Sequence, residues 1–227
     1  KVHFNGNMTG VGLILTLGKS TEHVKTSLLN YSPNHIILLT SEQFASTARR
    51  QLSHWKRQFD LEGDVFVIAD LFTNEAAENI MTQTMLAIHY LKTAELDTIL
   101  LGITGGTMHM AAVAASAATI ADIPVFYVKQ PDGEQVIQPR KDIIEMPTMS
   151  AFTKLSNIPI EALDFFNSMF TEKEGDEKGR ITKSEAEIFG MPQGFLNYLT
   201  MHRVLDQIDK STYEFTYTGI SMIRLLH

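Results

Sequence analysis

The chain has 227 residues, of which 44% are hydrophobic and 20% charged, enough apolar material for one large domain or for a domain with a smaller companion. Its net charge of -7 disfavours bulk attraction to nucleic acid, so an anion has to be held by local dipoles and a few cations. The absence of cysteine excludes disulfides, thiolate metal ligands and a cysteine nucleophile. Neither a membrane span of ~18 to 20 apolar residues nor a secretion signal is present, so we expect a cytoplasmic protein.

The first 130 residues alternate between predicted strands and predicted helices. The strand segments are apolar on both faces, as is typical of parallel strands covered by helices. The predicted strands are 11–18, 35–41, 64–71, 97–104 and 123–129. The predicted helices are about 20–30, 41–59, 73–93 and 107–121. This order predicts an α/β fold with a Rossmann-like parallel sheet and right-handed crossovers.

The pattern changes after residue 129. Residues 130–150 contain three prolines and no helical period, and Asp132-Gly133 predicts a β-hairpin with residues 134–139 as its returning strand. From residue 151 the chain becomes helical and more polar, with a charged connector at 171–180. We therefore expect two domains, 8–148 and 149–227, with their boundary between residues 146 and 152. Residues 1–7 are given no weight.

Small polar residues follow the predicted strands. In an open parallel sheet, ligands bind beyond the carboxyl ends of the strands, where glycine lets the backbone approach a ligand and helix N-termini favour anions. The candidate ligand-binding residues at these ends are Gly18, Lys19, Ser20, Thr21, Ser41, Thr73, Thr104, Gly105, Gly106, Thr107, Met108 and His109. For any one loop a purely structural role stays open: a tight turn at Gly105-Gly106, or a helix N-cap at Ser20 or Thr107. His109 is as compatible with helix packing as with a ligand contact.

The common nucleotide and hydrolase motifs are missing. The sequence has no G-x-x-x-x-G-K-[ST], and no G-x-G-x-x-G follows a strand, which disfavours NTP hydrolysis and NAD chemistry. It also has no G-x-S-x-G, no HExxH and no obvious metal cluster. We therefore expect no cofactor and no metal.

Two segments resemble a known family. LILTLGKSTEHVKTSLLNYSPNHIILLTSEQ and LLGITGGTMHMAAVAASAATIADIPVFYV are similar to a CARF domain (CRISPR-associated Rossmann fold), over roughly residues 11–145. The resemblance implies a homodimeric sensor of cyclic oligoadenylates in type III CRISPR defence. It implies a ring held on the two-fold axis by the Gly18-Lys19-Ser20-Thr21 loop and by Thr104 to Met108. On family grounds we expect cyclic tetra-adenylate.

The chain departs from the family pattern at one position. Many members have lysine after the T-G-G-T turn, where this chain has Met108, followed by His109. In ring nucleases of the family that lysine assists cleavage, so we expect slow or absent ring cleavage here. The alternative is a metal-independent ring nuclease that uses Lys19 and Ser20, or His109 as a titratable group.

The last 77 or so residues have a pattern of their own. Residues 181–191 predict a short helix ending at Gly190, residues 192–208 a second helix, residues 210–218 a hairpin strand and residues 218–226 a last helix. With a first helix at 159–170, this order resembles a winged helix-turn-helix, which implies DNA binding and transcription regulation. The candidate DNA-binding residues are Lys183, Gln193, Asn197, His202, Arg203 and Lys210.

The charge of this second domain disfavours DNA. Residues 151–227 contain eight Lys and Arg against eleven Asp and Glu, whereas DNA affinity depends on neutralised phosphates. Recruitment of a separate effector protein, or dimerisation through the wing domain, therefore stays open beside DNA binding.

Overall fold

A computed structural model describes residues 10–94, 96–129, 142–146, 149–171, 179–191, 194–202 and 204–227. The hairpin expected at Asp132-Gly133, most of the charged connector, Gln193 and Arg203 lie outside these residues. The chain divides into two compact units, Lys1–Glu145 and Met146–His227.

The strands and helices follow one another through both units. The strands are β1 (Val11–Leu17), β2 (His35–Ser41), β3 (Glu62–Ile68), β4 (Thr98–Gly102), β5 (Val125–Val128), β6 (Ile143–Met146), β7 (Arg180–Thr182), β8 (Leu205–Gln207) and β9 (Thr212–Phe215). The helices are α1 (Glu22–Tyr31), α2 (Glu42–Phe59), α3 (Ala76–Thr93), α4 (Met108–Ile120), α5 (Met149–Ser156), α6 (Ile160–Thr171), α7 (Lys183–Ile188), α8 (Phe195–Met201) and α9 (Tyr217–Leu226).

The first sheet has the order β3-β2-β1-β4-β5-β6 in the described part of the chain. β1 pairs in parallel with both β2 and β4, and β2–β3 and β4–β5 are also parallel pairs. The expected α/β architecture with a mostly parallel sheet is confirmed. The strand order reverses between β1 and β4, and such a switch point leaves a crevice at the carboxyl ends of the two strands.

Alternate residues of the central strand, β1, are buried on opposite faces of the sheet. Leu13, Leu15 and Leu17 pack into one apolar layer with residues of α1 and α2. Ile14 packs into the other layer with residues of α3 and α4. Every residue of β1 is buried, because helices cover both faces of the sheet at this strand. Its sequence therefore lacks the alternation of polar and apolar residues that is typical of a half-exposed strand.

The second unit is built around a small antiparallel sheet. Its strand order is β7-β9-β8, and the helices α7 and α8 lie between β7 and β8 in the chain. Phe166 of α6 packs edge-on against Phe215 of β9, with ring centroids 5.0 Å apart. A capping box between Thr182 and Glu185 begins α7 and satisfies otherwise unpaired backbone N–H groups.

The predicted helix at 192–208 is wrong in its second half. α8 ends at Met201, and residues Leu205–Gln207 form β8, which pairs antiparallel with β9. Val204 and Leu205 are fully buried in the core of the second unit, so packing against β9 outweighs the helical period of this segment. Within the described residues, we find no helix whose length and hydrophobicity would let it traverse a bilayer.

The loop after β3 is longer than the sequence predicts. β3 ends at Ile68 instead of residue 71, and α3 begins at Ala76 instead of residue 73. Asp70 adopts the left-handed conformation with φ of 52°, which turns the chain away from the strand. Residues 69–75 therefore form a loop that is exposed apart from buried Leu71, and in it Thr73 donates its hydroxyl hydrogen to the carbonyl of Asp70 at 3.0 Å.

Candidate functional site

The two glycine turns meet at the switch point of the sheet. A Cβ atom built on Gly18, after β1, would lie 3.0 Å from the backbone nitrogen of Gly106, after β4. Gly106 itself has φ of +79°, which favours glycine. The two turns are thus in backbone contact at the carboxyl ends of β1 and β4.

A buried histidine supports this contact from below. His23 of α1 is 5% exposed, and its Nε2–H donates to the carbonyl of Thr16 at 3.1 Å. A Cβ on Gly105 would lie 2.2 Å from that same carbonyl oxygen and 2.7 Å from His23 Nε2. Burial lowers the pKa of His23 below its usual value of 6.5, partly offset by the Thr16 carbonyl and by Glu22. The neutral ring therefore forms the floor of the site.

The threonines of the T-G-G-T turn are engaged within the fold. The hydroxyl oxygen of Thr104 accepts from the backbone N–H of Val128 at 2.6 Å, which ties the turn to β5. Thr107 is the N-cap of α4, and its hydroxyl oxygen accepts from the N–H of Met110. The cap role that the sequence leaves open for Thr107 is therefore present.

His109 joins this turn to the loop after β3. Its Nε2 lies 2.9 Å from the carbonyl oxygen of Leu71, and its Nδ1 lies 3.1 Å from Thr107 Oγ1. Because a carbonyl can only accept, Nε2 carries the hydrogen, and in the neutral ring Nδ1 then accepts from the Thr107 hydroxyl. Both ring nitrogens of His109 therefore have protein partners.

Two apolar side chains at this edge are conspicuously exposed. Met108, which the sequence assigns to the site, is 89% exposed, and Phe72 of the loop after β3 is 82% exposed. Phe72 is not among the site residues predicted from the sequence, and neither is His23 beneath the turns. An aromatic residue beside Thr73 and Asn74, just after a predicted strand, is the pattern that would have drawn attention to Phe72.

The charges around the switch point favour an anion. Lys19 is exposed directly after Gly18. The first turn of α4 carries no acidic residue, whereas those of α1, α2 and α3 carry Glu22, Glu42 and Glu78. The positive end of the α4 dipole is therefore not neutralised by its own helix.

The remaining candidates of the first unit differ in accessibility. Ser20 is exposed beside Lys19, and Thr21 is the N-cap residue of α1, without a side-chain capping bond. Ser41 is only 8% exposed at the carboxyl end of β2, so its hydroxyl does not lie on the open rim. Thr73 lies on the exposed loop after β3 and bonds to Asp70.

The candidates of the second unit lie apart from one another in the chain. Lys183 is exposed at the start of α7, and Lys210 is exposed between β8 and β9. Asn197 of α8 accepts the hydroxyl hydrogen of Tyr213 at 2.8 Å, and the His202 ring lies 4.2 Å from that of Tyr198. Because Arg203 lies outside the described residues, Lys183 and Lys210 are the lysine or arginine candidates that the structure describes. Among the described residues, no group of three or more His, Asp or Glu side chains could hold a metal ion.

Comparison with known proteins gives similar structures at low sequence identity. No protein-family model matches the chain, and neither does any curated protein sequence. Protein VC1899 from Vibrio cholerae is similar with a TM-score of 0.46 and 14% identity over 95% of this chain and 64% of that one. Enterococcus italicus Csm6 bound to cyclic hexa-2'-fluoro-hexa-dAMP is similar with a TM-score of 0.48 and 13% identity over 86% of this chain and 56% of that one.

A third solved structure is Can2 from Sulfobacillus thermosulfidooxidans in complex with cyclic tetra-adenylate. Its TM-score is 0.41, with 12% identity over 95% of this chain and 61% of that one. The chain thus spans less than two thirds of the length of each of these three solved chains.

Replacing Gly105 with alanine should destabilise the first unit more than replacing Gly18. The added Cβ at Gly105 meets a backbone oxygen at 2.2 Å, whereas at Gly18 its nearest neighbour is 3.0 Å away. We expect Gly105→Ala to cost about 1–3 kcal/mol of the free energy of unfolding, measured by urea denaturation, and Gly18→Ala to cost less. Equal losses for the two variants would contradict the geometry around Gly105.

Buried His23 should make the stability depend on pH. Its pKa is lower in the folded protein than in the unfolded chain, so the unfolded chain binds the proton first as the pH falls below 6.5. The contribution of His23 to the free energy of unfolding should be constant above pH 6.5 and should decrease below it. Urea denaturation between pH 7 and pH 5 should show a smaller decrease in His23→Gln than in the original protein. His54→Gln, an exposed site on α2, is the control and should retain the decrease.

Proposed function

We propose that this protein is a sensor of a cyclic oligoadenylate, with cyclic tetra-adenylate as the preferred ligand. The observation that carries the proposal is the contact between the Gly18 and Gly106 turns at the switch point of the sheet. Backbone N–H groups at these turns can approach phosphate oxygens closely, because Gly18 and Gly106 carry no side chain.

The N-terminus of α4 supplies the electrostatic part of the proposal. The first N–H groups of a helix lack partners within that helix, and its dipole favours an anion there. Among the helices α1 to α4 of the first unit, α4 is the one without an acidic residue in its first turn. Exposed Lys19 lies on the adjoining turn. A phosphodiester at this position would meet backbone N–H groups and one ammonium group.

The class of ligand comes from the sequence resemblance to CARF domains. That resemblance lies in the same two turns, Gly18-Lys19-Ser20 and Thr104 to Thr107, whose backbones are in contact. The solved structures have TM-scores below 0.5, so the cyclic ligands in two of them add nothing to this step.

A second copy of the chain is part of the proposal. α4 contains no Asp, Glu, Lys or Arg, and a helix that is apolar on all sides is usually covered on all sides. Ile120 at its C-terminal end is nevertheless 68% exposed, and Ser116 and Ala112, one and two turns before it, are exposed as well. Pairing of two chains through α4 would cover this row and place two copies of the glycine turns beside one ring.

The second unit is proposed to deliver the output by binding DNA. The order α6-β7-α7-α8-β8-β9, with the sheet order β7-β9-β8, supports a winged helix-turn-helix in which α8 enters the major groove. Exposed Lys183 and Lys210 would contact phosphates, while Asn197 lies on the exposed side of α8. A ligand can change DNA affinity only if it binds one arrangement of the protein better than the other.

Calorimetric titration with cyclic tetra-adenylate tests the ligand assignment. We expect saturable binding at one ring per two chains, and recovery of the ring intact. Lys19→Ala should weaken binding by about tenfold or more, because a hydrogen bond to a charged group contributes about 1.5–3 kcal/mol. Lys25→Ala, an exposed lysine of α1, should bind as the original does. Absence of heat at micromolar protein would overturn the proposed function.

Selection from a randomised DNA duplex pool, with and without cyclic tetra-adenylate, tests the output. We expect a selected duplex whose affinity changes on adding the ring. Lys183→Ala and Lys210→Ala should each weaken binding and reduce the salt dependence by about one phosphate contact. Lys92→Ala on α3 is the control and should not affect binding. If no duplex is selected in either condition, the DNA-binding output is overturned, and recruitment of a separate effector protein becomes the output to test.

A further inference from the structure

Phe72 and Met108 are the two most exposed large apolar side chains among the described residues of the first unit. Phe72 is 82% exposed and Met108 is 89% exposed, whereas Ile120, the next in this unit, is 68% exposed. Both lie at the carboxyl edge of the sheet, Phe72 after β3 and Met108 at the start of α4. Isolated exposed apolar residues are ordinary, but these two share the edge where the proposed ligand would bind.

His109 holds the loop of Phe72 beside the start of α4. Its Nε2–H donates to the carbonyl of Leu71, the residue before Phe72, and its ring lies edge-on to that of Phe72 with centroids 6.3 Å apart. His109 also directly follows Met108 in the chain. The backbone on either side of the pair is therefore fixed, although both apolar side chains remain open to solvent.

We propose that Phe72 and Met108 form a platform on which an adenine base of the bound ligand stacks, and that His109 is its positioning residue. This inference rests on the proposed function, because the phosphates of the ligand have to be held by the neighbouring turns. A purine offers a flat π-face to the Phe72 ring, and a thioether makes favourable contacts with aromatic rings.

The size of the platform favours a base over a protein surface. One aromatic and one methionine side chain offer a few hundred Å² at most, whereas a stable protein interface buries about 800 Å² on each partner. A single nucleobase can be covered by an area of this size. The platform would also give Met108 a role. Many CARF domains, which the sequence resembles, have lysine at this position.

Binding of cyclic tetra-adenylate to Phe72 variants tests the platform. Phe72→Ala should weaken binding about fivefold or more, because stacking on an aromatic ring contributes about that much per base. Phe72→Trp should bind within about threefold of the original, since it keeps an aromatic surface. Leu29→Ala removes an exposed apolar side chain from α1, away from this edge, and should bind as the original does. Met108→Ala should weaken binding in the same direction as Phe72→Ala.

A double-mutant cycle tests the role of His109. His109→Ala should weaken binding in the original chain but have little further effect in the Phe72→Ala variant, because His109 acts through the position of Phe72. His109→Gln keeps an N–H donor for the Leu71 carbonyl and should restore part of the lost affinity. Additive losses without rescue by glutamine would overturn the positioning role.

The outcomes separate the platform from the proposed function. If the original chain binds no ring, both are overturned. If it binds the ring and Phe72→Ala and Met108→Ala bind equally well, only the platform is overturned. If those two variants instead turn a dimer into a monomer in analytical ultracentrifugation, the two side chains form a protein contact and the platform is overturned. Thermal melting should match the original for both variants, because neither side chain is buried.

Discussion

The close approach of two backbones at the switch point is the constraint on which the site depends. β1 and β4 are neighbours in the sheet although more than 80 residues separate them in the chain, and their following turns touch at Gly18 and Gly106. A Cβ on Gly18 would press on the backbone of Gly106, and a Cβ on Gly106 would lie 2.7 Å from the sulfur of Met110. The sheet therefore brings the backbones of two distant turns together at its switch point.

The contact is supported by two histidines with different roles. His23 lies beneath it, neutral and bonded to Thr16, and leaves no space for a Cβ at Gly105. His109 lies beside it and bonds to Thr107 on one side and to Leu71 on the other. Because these bonds lie within the chain itself, they hold the turns in place, and binding would cost little ordering of the backbone.

The distribution of charge explains how an acidic chain could bind an anion. The net charge of -7 opposes long-range attraction, so the binding energy has to come from short-range groups. Three of the first four helices place a glutamate near their own N-terminus, and α4 does not. An anion would therefore be favoured at one helix end in particular, the one that follows the glycine turn.

Most of the fold could be predicted from the sequence, because its strands carry a local pattern. Apolar runs such as 11–17 and 35–41 are fully or almost fully buried, and such runs indicate parallel strands whatever their partners are. The helix predicted through residue 208 was wrong because pairing of Leu205–Gln207 with β9 depends on residues that follow it in the chain. The helical period of a segment carries no information about its pairing with a later strand.

The sequence by itself determined which residues follow each strand, and hence that Gly18 and Gly106 lie at one edge of a parallel sheet. The strand order decided that these two turns touch, because contact requires β1 beside β4, and chain order does not specify that neighbourhood. The tertiary structure also decided the partners of His23 and His109, and it left Phe72 exposed at that edge. Hydrogen bonds and exposure depend on atoms brought together from distant segments, which no local pattern of residues contains.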